Sequence, residues 1–432
     1  MTCAALEFIG IILPVDQQDN HNKNANPARP QLRRVLSLPL ITFYGVGTIL
    51  GAGIYVLVGK IAGVAGFYAP LAFLIAAAVA ALTGFSYAEL TSRYPQAGGE
   101  SIYVQQGFGI RTLSTLVGLL VATAGLVSAA TITHGFVGYL DVFVELPATL
   151  VIVAVVLVLC GLAIWGILES AWAAAIATTI EIAGLVLIIA VASPSLATLP
   201  ARWPELLPAA DTAAWSGIML GAFLAFYAFI GFEDMANVAE EVQDASRNLP
   251  RAILFALALA TMLYLLVTLV AVLSLPPAQL AASAAPLALI FEHSTGHSPT
   301  LIAAISLFAV VNGALIQIIM ASRMFYGMST AGWLPGIFAQ VSTATGTPVI
   351  ATVTAASGVL LCALALPLAT LAKATSTIVL VVFALVNLAL IRIKHRDPAP
   401  AGARVYAGWI PWGGLLLSLA LLAFHLVTLL RG

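Results

Sequence analysis

Gly45-Val46-Gly47-Thr48-Ile49-Leu50-Gly51-Ala52-Gly53-Ile54-Tyr55 lies inside the first long apolar stretch of the chain, and its glycines govern how the rest is read. A helix that crosses lipid must satisfy every backbone N–H and C=O within itself, and glycine at Gly51 and Gly53 weakens that ladder. A break at membrane depth survives only where protein or a polar cavity takes over the released groups. The stretch therefore predicts an interrupted spanning helix beside a cavity that suits a small polar solute. The same glycines have a second reading, because Gly47-x-x-x-Gly51 and Gly59-x-x-x-Gly63 also permit close helix packing.

Composition sets the class. Of 432 residues, 61% are hydrophobic and 8% charged, with a mean hydropathy of +1.06, against about a quarter charged in ordinary soluble domains. The chain reads as an all-α integral membrane protein whose largest partner is the lipid bilayer. A net charge of −1 and the lack of a basic stripe exclude nucleic acid as a partner. Measured against the roughly 20 residues a spanning helix needs, apolar runs predict eleven spans. They cover 39–60, 67–91, 112–139, 148–167, 170–192, 214–241, 250–273, 300–325, 349–367, 371–391 and 409–430. Strict apolar/polar alternation is absent, which argues against a β-barrel.

Basic residues orient these spans, because cytoplasmic loops collect Lys and Arg. With the amino terminus inside, 13 of the 17 Lys and Arg residues fall on the inner side, and only Lys60, Arg202, Lys373 and Arg431 fall outside. The expected location is the inner (cytoplasmic) cell membrane, with a cytoplasmic amino terminus. Residues 1–36 read as a disordered cytoplasmic tail, since Glu7 precedes a short apolar run and Asp16 to Gln31 is polar and rich in Asn, Gln and Pro. Cys3, Cys160 and Cys362 offer neither a disulfide framework nor a zinc spacing, so no metal is expected.

A second break is expected in the sixth span, where Tyr227-Ala228-Phe229-Ile230-Gly231-Phe232-Glu233-Asp234 places two carboxylates beside a glycine. Intramembrane carboxylates are costly and turn toward a cavity or a partner. The first and sixth spans open two five-helix halves, and paired interruptions in matching halves point to a transporter site at the midplane. Enzyme alternatives lack support: there is no His-Glu-x-x-His, no Gly-x-Ser-x-Gly and no strand ahead of the glycine-rich segment, so no cofactor is expected. A channel would carry pore loops or charge rings, which are not visible.

These segments resemble the amino acid/polyamine/organocation permeases, in the manner of bacterial relatives of cationic amino acid transporters. Gly51-Ala52-Gly53-Ile54-Tyr55 is similar to the first-helix signature of that family. Gly231-Phe232-Glu233, followed by Ala239-Glu240-Glu241-Val242 and Ser246 to Ala252, resembles the sixth-helix motif. Tyr94-Pro95-Gln96-Ala97-Gly98-Gly99-Glu100-Ser101 resembles the loop after the second helix, and Ala321 to Met328 the end of the eighth. The resemblance implies the leucine-transporter fold: inverted repeats over 37–194 and 195–392, then a loop and final helix over 393–432.

With the resemblance, the expected substrate site is Ile49, Leu50, Gly51, Ala52 and Gly53 in the first break, and Tyr227, Ala228, Phe229, Ile230 and Gly231 in the second. The N–H groups of Ala52 and Gly53 suit a carboxylate at the positive end of a half-helix. The carbonyls of Ile49, Tyr227 and Ile230 suit an α-ammonium. Tyr227 aligns with a family position that often carries an aromatic gate. Glu181, mid-way along the fifth span and roughly 16 Å from either end at helical rise, is expected either to couple transport to a cation or to be a protonated, hydrogen-bonded structural group. Relatives often carry Lys there. Glu233 is a coupling candidate with an inner-Arg ion pair as its alternative, and Phe232 and Asn312 complete the coupling and gating set. His134, Gln317, Asn387 and His425 are expected to tie helices together.

The resulting expectation is a secondary active amino acid permease working by alternating access, with the proton as coupling ion. Amino acid or polyamine antiport, or a non-transporting sensor on the same scaffold, are the alternatives. The oligomeric state is left open.

Overall fold

The computed structural model describes residues 34, 36–51, 53–96, 98–165, 171–208, 210–343 and 345–431. Ala52 and nearly all of the expected tail lie outside the described residues. The helices are α1 (Leu38–Leu50), α2 (Gly53–Ala65), α3 (Ala69–Arg93), α4 (Gly99–Phe108), α5 (Arg111–Leu140), α6 (Ala148–Trp165), α7 (Ala171–Ala192) and α8 (Leu199–Arg202). They continue with α9 (Thr212–Tyr227), α10 (Ala245–Ser274), α11 (Pro277–Ala282), α12 (Pro286–Thr295), α13 (Thr300–Thr330), α14 (Val349–Ala365), α15 (Leu368–Arg396) and α16 (Trp409–Arg431).

Every one of the eleven expected intervals holds helix. Among the described residues nine stretches are long and apolar enough to cross a bilayer, the first of which, Leu38–Arg93, takes in both the first and second expected spans. The ninth expected span is the shorter Val349–Ala365, whose 17 residues rise only about 25 Å. The helices α4, α8, α11 and α12 fall outside the expected spans, because they are short and lack a spanning run of apolar residues.

Small residues set the packing, as they must where lipid provides no hydrophobic drive between helices. The helix α5 lies against α13, α14 and α15, α3 lies between α9 and α10, and α1 lies against α7 and α10. A Cβ at Gly63 would approach that of Ala281 to 2.5 Å, and one at Gly107 would come within 2.7 Å of Ala389. The helix-packing reading of the glycine spacing therefore holds at Gly63. At Gly51 the neighbour is the Cα of Gly313, 3.4 Å from an added Cβ, so one glycine series serves both packing and the break.

At the end of α3 a carboxylate is fully paired. Glu89, 1% exposed, receives Arg93 at 2.6 Å and Lys394 at 2.7 Å. It also accepts the backbone N–H of Tyr406 at 2.9 Å. Arg93 reaches on to the carbonyl of Asp397 at 2.8 Å. These bonds fasten α3 to the end of α15 and to the loop that leads into α16.

Candidate functional site

Helix α1 stops at Leu50, where the Gly51 N–H still bonds back to the Gly47 carbonyl at 3.0 Å, and helix resumes at Gly53. In the sixth span α9 stops at Tyr227, residues 228–231 form turns, and a 3-10 helix runs Phe232–Glu241. Gly231 takes φ +127°, a conformation that side chains with a Cβ rarely adopt.

The two interruptions touch. A Cβ added to Gly231 would lie 2.5 Å from the Thr48 carbonyl oxygen, and one added to Gly53 would lie 2.6 Å from the Cβ of Ala228. Two hydroxyls bridge them. The Thr48 hydroxyl lies 3.0 Å from the Gly231 carbonyl and 2.9 Å from that of Gly45. The Tyr264 hydroxyl, fully buried on α10, lies 2.7 Å from the Ile49 carbonyl and 2.8 Å from the Ala228 carbonyl. A phenol has one proton, so Tyr264 serves two released carbonyls with a single donor. Further along the chain, Leu36 and Val242 pair through Leu36 N–H to Glu241 C=O at 3.0 Å and Gln243 N–H to Leu36 C=O at 2.9 Å.

Between the breaks lies a small cavity. Thr48, Ile49, Gly51, Gly53, Tyr227 and Ile230 line it from the two breaks, and Ser128, Gly313 and Gln317 from α5 and α13. The Tyr227 hydroxyl is 3.0 Å from that of Ser128. Of the ten residues expected at the substrate site, Ile49, Gly51, Gly53, Tyr227 and Ile230 face this space. Leu50 is buried beside it. Ala228 contributes its carbonyl to Tyr264, Gly231 contacts Thr48, and Ala52 lies outside the described residues.

Three details differ from the expectation. The carbonyls of Ile49 and Tyr227 are already engaged, the first by Tyr264 and the second by the Ile230 N–H at 3.2 Å; each keeps one further lone pair. Phe229 turns away from the cavity onto Phe73 and Tyr264, with ring centroids 6.5 and 5.1 Å apart. Phe232 packs on Tyr87 and Phe383 at 5.4 and 5.3 Å. Aromatic burial outcompetes exposure to a small polar space.

The coupling candidates separate into two places. Glu181 on α7 is fully buried; Asn312 on α13 donates to its Oε1 at 3.2 Å, and its Oε2 has no partner. The Tyr55 hydroxyl donates to the Glu181 carbonyl at 2.6 Å, and the Tyr139 hydroxyl to the Tyr55 carbonyl at 2.5 Å. This chain of bonds runs from α5 through α2 to α7 and α13, two residues beyond Gly53. Glu233 turns back on its own break, where its Oε2 accepts the Gly231 N–H at 2.9 Å. Among the described residues it forms no ion pair with an Arg, the alternative expected for it.

Sequence reasoning passed over Thr48, Ser128 and Tyr264. A lone tyrosine in the apolar run of the seventh span is the signal that could have found Tyr264, since a buried phenol needs a partner. His134 and Asn387 tie helices as expected: His134 Nε2 lies 2.9 Å from the Ala363 carbonyl, and Asn387 bonds Ser86 at 2.7 Å and Thr83 at 3.0 Å. Gln317 ties α13 to the 3-10 helix by donating to Asp234 at 3.3 Å, and it faces the cavity as well.

Comparison with known proteins agrees with this geometry. The amino acid permease family model matches residues 36–430. Cationic amino acid transporter 2, vacuolar, of Arabidopsis thaliana is 31% identical over 395 residues, covering 85% of this chain and 61% of that protein. The branched-chain amino acid permease BcaP of Bacillus subtilis is 27% identical over 398 residues, 87% of this chain and 84% of the relative. Human cationic amino acid transporter 4 is 28% identical over 395 residues, 85% and 61% respectively. The chain thus spans about three fifths of the length of the plant and human relatives. A bundle of membrane-length helices interrupted at the matching motifs, with the family model covering almost the whole chain, makes this chain a member of the amino acid permease family.

Proposed function

We propose that this chain is a secondary active permease that carries an amino acid across the cytoplasmic membrane by alternating access, coupled to protons. The observation that carries the reading is the meeting of both helix breaks at one cavity. There the start of α2 presents Gly53 at the positive end of a helix dipole, which suits a carboxylate. The remaining lone pairs of the Ile49 and Tyr227 carbonyls, with Ile230, suit the α-ammonium. In this reading 37–194 and 195–392 are the inverted repeats, and α1, α2, α3, α9 and α10 rock against the remaining helices. Their mutual packing supports that grouping. The concentration of Lys and Arg on one side supports a cytoplasmic amino terminus.

Glu181 is the coupling group in this proposal. One of its oxygens lacks a protein partner, and Tyr55 ties its backbone to the helix that begins at the first break. The test is uptake of labelled amino acids into proteoliposomes with and without an imposed inward proton gradient. The gradient should accelerate uptake by the native protein, and Glu181→Gln should remove that acceleration. Uptake that requires preloaded amino acid and ignores the gradient would transfer the reading to antiport. Binding without any uptake would transfer it to a sensor.

A further inference from the structure

Helix α15 ends in Arg392-Ile393-Lys394-His395-Arg396, and residues 397–408 carry the chain over to α16 at Trp409. Between the two helix ends lies a groove of about 370 Å³, where a single water needs only roughly 10–15 Å³. Lys394 and His395 line it from α15, Tyr406 and Gly408 from the connection, and Trp412 from α16. No residue of either helix break lines it, so the groove is separate from the substrate site.

The charge around this groove is unbalanced. Residues 391–406 hold Arg392, Lys394, Arg396 and Arg404 against one acid, Asp397. Arg392 and Arg396 are held by backbone rather than by acids, donating to the Gly107 carbonyl at 3.2 and 2.8 Å at the end of α4. Among the described residues neither of them, nor Arg404, forms an ion pair. Glu89 is one carboxylate shared between two cations, Arg93 and Lys394, so it neutralises them only in part. Lys394 donates to Glu89 and to the Tyr406 carbonyl, each at 2.7 Å. An ammonium has three donors, so one is left at the groove wall. His395 beside it is exposed. The charge complement of the groove is therefore an anion.

The apolar side of the groove shows what that anion is attached to. Trp412 is 48% exposed, and Leu416 and Leu419, 62% and 45% exposed, follow it at helical spacing. They form a stripe that runs from the groove along α16 into the bilayer. A soluble anion would meet the basic wall and leave the stripe untouched, whereas a phospholipid meets both. Tryptophan at the end of a span sits at headgroup level, and basic pockets between spanning helices on the cytoplasmic side suit anionic headgroups. In the orientation proposed above, this end of α15 and α16 is the cytoplasmic one.

We infer that this groove binds the headgroup of an anionic phospholipid of the inner leaflet, with Lys394 and His395 on the phosphate, Trp412 at the glycerol and an acyl chain along Leu416 and Leu419. The lipid adds a counter-charge at the junction where Glu89, Lys394 and Tyr406 fasten α3 to α15 and to the loop that leads into α16, so its occupancy stabilises that junction. The inference takes its orientation from the permease reading and nothing from the solute carried. Its experiment uses lipid alone, so its failure leaves that reading standing.

The test is the melting temperature of the purified full chain, delipidated in detergent and titrated with phosphatidylglycerol, phosphatidylcholine or inorganic phosphate. Phosphatidylglycerol should raise it by mass action, phosphatidylcholine less, and inorganic phosphate not at all. The phosphatidylglycerol needed for half of the shift should rise about fivefold in Lys394→Gln, the equivalent of about 1 kcal/mol per basic group at a membrane surface. His395→Glu should move it in the same direction, and because His395 is exposed and lies outside the Glu89 pairing, that variant carries the test if Lys394→Gln fails to fold. Lys373→Gln, the same change of net charge near the other end of α15, should leave it unchanged. Equal shifts from the two lipids, a midpoint that His395→Glu does not move, or one that Lys394→Gln and Lys373→Gln move alike, overturns the site. A shift that inorganic phosphate reproduces would assign the groove to a soluble anion and overturn the lipid as its occupant.

Discussion

Gly231→Ala should separate the two helix breaks, and its size can be worked from two terms. Gly231 sits at φ +127°, and forcing an L side chain into a positive-φ conformation costs about 1–2 kcal/mol. The new Cβ would also lie 2.5 Å from the Thr48 carbonyl oxygen and 2.7 Å from its carbon. Backbone cannot swing aside as the end of a flexible side chain can, so overpacking adds about 1–3 kcal/mol. Gly66→Ala isolates the first term, because Gly66 is at φ +60° with nothing within 4 Å of an added Cβ. Both variants should melt lower than the native protein in detergent. Only Gly231→Ala should weaken amino acid binding, by about 5- to 150-fold for the 1–3 kcal/mol contact term. If the two variants melt alike and bind alike, the contact between the breaks does not shape the site and the reasoning fails.

Tyr264→Phe removes the one hydroxyl shared by the Ile49 and Ala228 carbonyls. It should cost about 1–3 kcal/mol of stability and weaken binding together with it, as measured by thermal unfolding with and without amino acid; unchanged melting would show those carbonyls are satisfied otherwise. Burial raises the Glu100 carboxyl from the usual 4.5 to about 7, opposed by its backbone bond and the Tyr87 hydroxyl. Glu233, Asp234, Tyr87 and Tyr103 are the titratable groups around it. A raised carboxyl favours the folded state when protonated, so that stability is present below about pH 4.5 and lost as pH rises to about 7, by about 3 kcal/mol. Glu100→Gln should therefore melt higher than the native protein at pH 8 in the absence of ligand and show a smaller gap at pH 5; the reverse order would refute the assignment.

The chain's own residues determined a great deal. Eleven apolar runs marked where helix would form, because a bilayer leaves a spanning backbone few alternatives. Gly51, Gly53 and Gly231 marked where it would stop, because glycine weakens helix wherever it stands. Those features are local, and a linear reading recovers them. Tertiary structure alone decided which groups meet at the breaks. Tyr264 and Thr48 bridge segments nearly two hundred residues apart, Phe229 and Phe232 prefer aromatic neighbours to the cavity, and Asn312 finds Glu181 across two helices. Glu100 shows the difference most clearly: the sequence placed it in a loop motif, and only the approach of α4 to the turn after Gly231 set it beside Glu233 and Asp234. Hydrogen bonds and aromatic contacts depend on three-dimensional proximity, which residue spacing does not encode once the partners lie on different helices.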